Sequence, residues 1–209
     1  MLYMAAFFLL GACSSMQPAF PPQGSAPPGV RMSVFLAPAT PIPVHEKKVL
    51  LLPARTPHGL DPGLSQTITK ILQDALLQEK VFAVVERVDP ARDLAIEERL
   101  DEAAARGFDF VMAAEFPLLL SASGNSPGRV AMDITILSTP NRISLWRMVG
   151  EADLVPLHED YSMVSIVLPA PFIPGPSIAS GVVALARSMA SIIKQTAGGP
   201  VSHAVDEHR

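Results

Sequence analysis

The sequence predicts an α/β domain with a mixed sheet of about five strands, in the order β-α-β-α-β-β-β-α, and helices packed on it. Apolar runs alternate with helically spaced apolar residues over the first half of the patterned region. Three strand-like runs then follow one another with only short turns between them. Two strand–helix units imply parallel pairing through right-handed crossovers, and the later meander adds antiparallel strands.

The first half holds the two strand–helix units. Val49 to Leu52 is a continuous apolar run, typical of a strand buried on both faces. Asp61-Pro62 places a capping residue before a proline at the first helical position. Residues 81–88, rich in β-branched side chains, form the second predicted strand. Asp89-Pro90 repeats the capping signal before a charged helix that runs to Arg106.

The second half holds three strands and a helix. The strands are predicted over 108–116, 129–137 and 143–154, and the middle one alternates apolar and other residues with a period of two. Trp146 shares a strand face with apolar residues. Packing in the core is therefore favoured over an exposed ring that binds a ligand. The final helix is predicted over 177–196 from its apolar stripe.

The predicted domain spans 47–198 and is flanked by segments of different composition. Residues 13–46 are predicted to form a tether, because eight prolines fall between Pro18 and Pro43 and proline-rich chain is extended and semi-rigid. Residues 32–38, "MSVFLAP", are more apolar than a spacer requires, which leaves two interpretations: an edge strand or a segment that docks on the domain. The tail over 199–209 is predicted to be disordered.

Composition excludes several classes of protein. The chain has 209 residues and a net charge of −4 with both signs interspersed, so nothing indicates a nucleic-acid partner. It has one cysteine, so no disulfide within the chain supports the fold. About 160 patterned residues are enough for one domain with its own apolar core.

The single cysteine, Cys13, follows an apolar run from Leu2 to Leu10. One interpretation is a small buried apolar side chain. The other starts from Leu10-Gly11-Ala12-Cys13, which resembles the lipobox of bacterial lipoproteins. That resemblance implies a signal peptide over 1–12, cleavage before Cys13, and acylation of the thiol by fatty acids such as palmitate. The run lacks the basic start of an export signal. Either the α-amino group supplies the only positive charge or, as favoured here, translation begins upstream of Met1.

The lipobox resemblance also implies a location. Two or more acyl chains hold a protein firmly on a bilayer, whereas one chain binds reversibly. Ser14 follows Cys13 where an aspartate would favour retention at the inner membrane. The resemblance therefore implies a lipid-anchored protein on the periplasmic face of the outer membrane.

A second resemblance covers residues 47–196. "KKVLLLPA", "DALLQEKVFAVVERVD" and "RGFDFVMAAEF" resemble motifs of the curli-secretion lipoprotein family. The same α/β core occurs in the amino-terminal domain of the Tol translocation protein and in lipoprotein activators of penicillin-binding proteins. The curli channel also carries long amphipathic hairpins, and this chain has no alternating pair of that length, so no pore is expected.

The motifs indicate no catalytic constellation, and we expect no enzyme, metal site or cofactor. His158-Glu159-Asp160 is either half of a metal site or, as favoured here, a solvated loop. Glu86-Arg87 at the end of the second strand is interpreted as a pair that stabilises the edge of the sheet.

These observations predict a non-enzymatic adaptor or accessory factor in envelope assembly, secretion or transport. The expected partners are an envelope protein and, in a homo-oligomer, a second copy of the chain. The predicted partner surface comprises apolar residues off the helix stripe or in the proline-rich 155–176 region, namely Leu77, Val164, Ile166, Phe172 and Ile173. The 155–176 region could equally cover the open face of the sheet. The alternative function is a ligand-binding auxiliary lipoprotein of a lipid or solute exporter, with an apolar pocket beneath that region.

Overall fold

The computed structural model describes residues 29–57, 60–88, 95–122, 126–155 and 176–198. They form one mixed six-stranded sheet with three helices packed on it, which confirms the predicted class with one strand more than expected. The strands are β1 (Gly29–Leu36), β2 (Lys48–Leu51), β3 (Val84–Arg87), β4 (Phe110–Leu120), β5 (Gly128–Ser138) and β6 (Ser144–Leu154). The helices are α1 (Pro62–Gln78), α2 (Ile96–Ala105) and α3 (Ile178–Ala197), and Val44–Glu46 forms a short 3-10 turn.

The sheet has the order β1-β6-β5-β4-β2-β3. Strand β2 pairs in parallel with both β3 and β4, as the two strand–helix units require. Strands β4, β5, β6 and β1 then pair antiparallel to one another. The two halves of the sheet therefore follow the two halves of the sequence.

Strand β1 is the extra strand, and it lies within the range predicted to be tether. Residues 32–36 of the "MSVFLAP" segment therefore belong to an edge strand, the first of the two interpretations given above. Val30 and Met32 pack against the main core, while Arg31 between them is exposed. This alternation fits a half-buried strand, so the sheet includes residues from Gly29 onward, before the predicted domain start at residue 47.

The helices occupy both faces of the sheet. Helices α1 and α3 cover the face that presents Val49 and Met112 to the main core. Helix α2 covers part of the opposite face, where Leu50 and Val111 form a smaller core. Trp146 lies in the main core, fully buried, as predicted.

The helix ends agree in part with the predicted signals. The Asp61 carboxylate accepts a hydrogen bond from Gly63 N at 2.9 Å, so it caps α1 as expected. Helix α2 begins at Ile96, and its Glu98 carboxylate accepts a hydrogen bond from Ala95 N at 3.2 Å. The predicted Asp89-Pro90 cap lies outside the described residues. Within the described part of the chain, no helix is both long and apolar enough to cross a bilayer.

Candidate functional site

The predicted site residues are divided between the described and the undescribed parts of the chain. Leu77 lies near the end of α1, next to the fully buried Leu76, and is 46% exposed. Its side chain is therefore accessible at the surface. The other predicted site residues, Cys13, Val164, Ile166, Phe172 and Ile173, lie outside the described residues, and their roles stay predictions.

A second apolar surface lies on the edge strand β1. Val34, Phe35 and Leu36 are consecutive and are 42%, 69% and 41% exposed. The register with β6 shifts between Val34 and Leu36, so Phe35 is an extra residue with no partner in the ladder. The sequence indicated that this segment was too apolar for a spacer, but its place at the sheet edge depends on pairing with the distant β6.

Ion pairs cover the face of β5, β6 and β1 that is opposite to α3. Arg31 contacts Glu151 at 3.2 Å and Asp153 at 3.0 Å. Arg129 approaches the same Asp153 carboxylate at 2.9 Å from the other side. The four side chains form one cross-strand network, because Arg31 lies opposite Glu151 in the register while Arg129 lies opposite Asp153. This face is polar and solvated.

A groove of about 450 Å³ lies beside this network, next to α2. Strands β3 and β4 flank β2 on opposite sides, and the groove lies where the order of the strands reverses. Open α/β sheets commonly bind ligands at such a point. Its polar lining includes Arg55 and Glu115, together with an ion pair between Arg147 and Asp133 at 3.3 Å. The formal charges of these four groups cancel, so the groove does not select an anion or a cation by net charge.

A larger groove of about 630 Å³ lies between α1 and the carboxyl ends of β2 and β3. Several polar groups in its lining already have partners within the fold. The Thr69 hydroxyl accepts a hydrogen bond from Ala54 N at 2.9 Å, and the Gln73 side chain donates to Val85 O at 3.0 Å. These contacts hold α1 against β3 and against the segment that follows β2. The polar side chains of the groove therefore stabilise the fold.

The Glu86-Arg87 motif at this groove differs from its predicted arrangement. Glu86 forms an ion pair with Arg106, the C-cap residue of α2, rather than with its neighbour Arg87. Successive side chains of a strand point to opposite faces of the sheet, which separates the two neighbours. The motif therefore joins β3 to α2.

A third depression, of about 450 Å³, lies at the end of the sheet where β6 ends. Leu120 and Val155, which are 52% and 58% exposed, line it together with Leu118 and Pro127. Residues 156–175 continue from this point of the chain. The ligand-binding alternative places its pocket beneath the 155–176 region, which begins with Val155 at this depression.

The described residues bring no metal site together. No three side chains of the histidine, cysteine, aspartate or glutamate type are close enough to hold an ion within these ranges. His158-Glu159-Asp160 lies outside them. Every buried side-chain nitrogen or oxygen of the described residues has a hydrogen-bond partner.

The fold and these surfaces define a mixed α/β domain with exposed apolar and ion-paired surfaces. No protein-family model matches the chain, and no curated protein matches it in sequence. Several solved structures match the chain in part.

The PelC dodecamer from Paraburkholderia phytofirmans is similar with a TM-score of 0.50 and 15% identity, over 83% of this chain and 99% of that chain. Protein XCC0632 from Xanthomonas campestris gives 0.47 and 11%, over 82% and 97%. Lipoprotein GNA1162 from Neisseria meningitidis gives 0.41 and 12%, over 58% and 92%. At 15% identity, the similarity to PelC shows a shared fold and no more than that.

Proposed function

We propose that this chain is a lipoprotein anchored through Cys13 to the periplasmic face of a bacterial outer membrane. It acts there as a non-enzymatic adaptor or accessory factor in envelope assembly, secretion or transport, and it works as a homo-oligomer. The observation that carries the proposal is the Leu10-Gly11-Ala12-Cys13 motif, after an apolar run and before a proline-rich segment that leads to a folded domain.

The proposed organisation has five parts. Residues 1–12 are the signal peptide, Cys13 carries the lipid, and the following residues up to β1 form the tether. The α/β domain then extends to residue 198, and 199–209 form a tail. The similarity in fold to the PelC dodecamer, which extends over nearly all of that protein, supports a homo-oligomer.

The anchor is tested by Cys13→Ser in the full chain, expressed in a bacterial host and labelled with a palmitate analogue. We expect the native chain to take up label and to sediment with outer membranes, and the variant to do neither. Ser14→Ala is the matched control and should keep both properties. Label-free native protein with its leader intact would refute the anchor.

The adaptor role is tested by crosslinking at Leu77, the described member of the predicted partner surface. A photo-crosslinking residue at position 77 should capture a specific envelope protein in intact cells. The same residue at Thr67, which is also exposed on α1, should not capture that protein. Equal capture from both positions would contradict a partner surface at Leu77.

A second candidate function, binding of a lipid or other apolar ligand, is favoured by the depression around Leu120 and Val155. Native mass spectrometry of the full chain, extracted in mild detergent, would then show a bound molecule beyond the anchor. Leu120→Arg should release that molecule, whereas Leu77→Arg should retain it. A chain that carries only its anchor would exclude this function.

A further inference from the structure

One end of the sheet carries both an exposed apolar surface and the start of the described domain. A row of residues that lie opposite one another crosses β4, β5, β6 and β1 at this end, namely Leu120, Arg129, Asp153 and Gly29. Neighbouring strands are about 4.8 Å apart, so the row places Leu120 about 14 Å from Gly29. Val155 directly follows β6 at the same end. The proposed tether therefore enters the domain beside this surface.

The apolar surface, which we call the tether-side patch, comprises Leu118, Leu120 and Val155. All three line the depression of about 450 Å³ at the end of β6, and Leu120 and Val155 are about half exposed. Leu118 and Leu120 lie on either side of the buried Leu119, so both point to the same face of β4. Clusters of exposed apolar side chains are typical of surfaces that contact a membrane or another protein.

The charged side chains beside the patch are compatible with lipid headgroups. Arg31 and Arg129 both contact the Asp153 carboxylate, and Arg31 also contacts Glu151. The formal charges of these four groups cancel, so the surface does not select anionic lipids. Long charged side chains can stay in the hydrated headgroup layer while neighbouring apolar side chains enter the boundary with the acyl chains. Contact with a bilayer would therefore depend on the apolar side chains.

Two other exposed apolar sites lie toward the opposite end of the sheet. Ile143 is 51% exposed, and its carbonyl accepts a hydrogen bond from Ser138 N. Ser138 lies opposite Phe110, the first residue of β4, whereas Leu120 is the last. Because β4 has eleven residues, these two ends are about 33 Å apart. The segment Val34–Leu36 at the end of β1 also lies on the side of Ile143.

The length of the tether favours the patch over these two sites. Fifteen residues separate Cys13 from Gly29. As polyproline II, at about 3.1 Å per residue, they reach about 46 Å. Contact of the opposite end with the bilayer would require the tether to run along the sheet for about 33 Å, which is most of its reach. Contact through the tether-side patch requires only a small part of it and is open to many more tether conformations.

We propose that the tether-side patch contacts the surface of the bilayer that holds the anchor of the same chain. Leu120 and Val155 enter the boundary between headgroups and acyl chains, and Arg129 stays among the headgroups. The tether keeps the patch close to the bilayer, so even a weak contact is populated in the anchored protein. The contact orients the sheet with this end toward the membrane. This inference rests on the proposed anchor and adds a second, non-covalent contact with the same membrane.

The contact is tested in the full, acylated chain reconstituted in phosphatidylcholine vesicles. Ser121→Cys places a fluorescent label next to Leu120, and Asn141→Cys places the same label in the turn between β5 and β6, and both positions are exposed. A spin label on the lipid, at the boundary of headgroup and acyl chain, quenches a label that reaches this depth. We expect quenching at position 121 to exceed that at position 141 at least about threefold. Equal quenching at the two positions would overturn the contact.

Substitutions at the patch test its apolar character. In the labelled Ser121→Cys chain, Leu120→Asp combined with Val155→Asp should reduce quenching about fivefold or more, because two apolar side chains no longer enter the boundary. Ile143→Asp is the matched control, since this residue is as exposed as Leu120 but lies at the opposite end, and it should leave quenching unchanged. Circular dichroism checks that each variant is folded. Quenching that requires anionic phosphatidylglycerol in the vesicles would overturn an apolar contact.

The same samples distinguish this inference from the proposed anchor. A native chain that takes up the thiol-reactive label at Cys13, or that does not sediment with the vesicles, would contradict the anchor. An anchored chain without quenching at position 121 would overturn this inference alone. A label at position 121 that is shielded from water in native membranes, but is not quenched in the lipid vesicles, would indicate a protein partner at the patch and would also overturn it.

Discussion

Trp146 Nε1 donates a hydrogen bond to Thr196 Oγ1 at 2.9 Å, which joins β6 to the last turn of α3. The indole is fully buried, and its nitrogen is its only polar atom. The same hydroxyl donates to Ile192 O at 2.8 Å, so it is oriented to accept from the indole. Trp146 also packs edge-on against Phe110, with ring centroids 6.1 Å apart. The Thr196 hydroxyl therefore satisfies the only polar atom of the largest side chain in the core.

Thr196→Val should lower the free energy of unfolding by about 1–3 kcal/mol, because it leaves a buried indole N–H without an acceptor. Urea unfolding followed by tryptophan fluorescence measures this change, and Trp146 is the only tryptophan in the chain.

Thr67→Val is the matched control for this prediction. The Thr67 hydroxyl makes the same type of bond within its helix, to Gly63 O at 2.9 Å, but it is exposed. Its loss should change the free energy of unfolding by at most about 0.5 kcal/mol. Equal effects at the two positions would show that the indole contact contributes nothing.

Gly150→Ala should also destabilise the domain. Gly150 lies on β6 opposite Met32 of β1, and an added Cβ would collide with the Met32 sulfur and lie 2.8 Å from Leu185 Cδ2. Both obstacles are ends of flexible side chains that can shift, so the expected cost is at the low end of the about 1–3 kcal/mol typical of overpacking. Thermal and urea unfolding of the purified chain would measure the loss.

Two further variants identify the cause of that loss. Gly29→Ala is the control, since an added Cβ there meets nothing within 4 Å, and its stability should stay near that of the native chain. Gly150→Ala combined with Met32→Ala should cost less than the sum of the two single changes, because the collision is removed. Strict additivity would mean that Met32 is not the obstacle.

Leu76 and Leu77 provide a test of burial at adjacent positions. Leu76→Asp places a charge in the core and should cost about 3 kcal/mol or more, so little folded protein is expected. Leu77→Asp changes an exposed position and should shift the free energy of unfolding by about 0.5 kcal/mol or less. If Leu77 contacts a partner, Leu77→Asp loses co-purification of that partner from cells while keeping its native melting temperature. A large loss of stability at Leu77 would show that it belongs to the core.

Most elements of the fold could be predicted because their signals are local. The apolar run Val49–Leu52 indicated a strand buried on both faces, and helices cover both faces of β2. The alternation over 129–137 matches β5, in which every second residue from Val130 to Ile136 is fully buried. The order of elements then implied the parallel and antiparallel halves.

Two features could not be decided from the sequence, the place of β1 in the sheet and the partner of Glu86, and they have a common cause. Prolines on both sides of β1 gave it the composition of a tether, and its pairing partner β6 lies more than a hundred residues away in sequence. Glu86 likewise has its partner on α2 rather than beside it. Contacts between distant residues leave little trace in local composition, so short-range patterns could not show them.

By itself the sequence determined the class of fold, the helices and strands of the core, and the lipobox motif on which the proposed anchor rests. These features follow from the spacing of apolar residues and from short motifs, which neighbouring residues specify. Only the tertiary structure decided that β1 closes the sheet as a long apolar edge, that one face is ion-paired, and where the grooves lie. Each of these depends on which distant strands become neighbours, and burial of the core against α1, α2 and α3 fixes that choice.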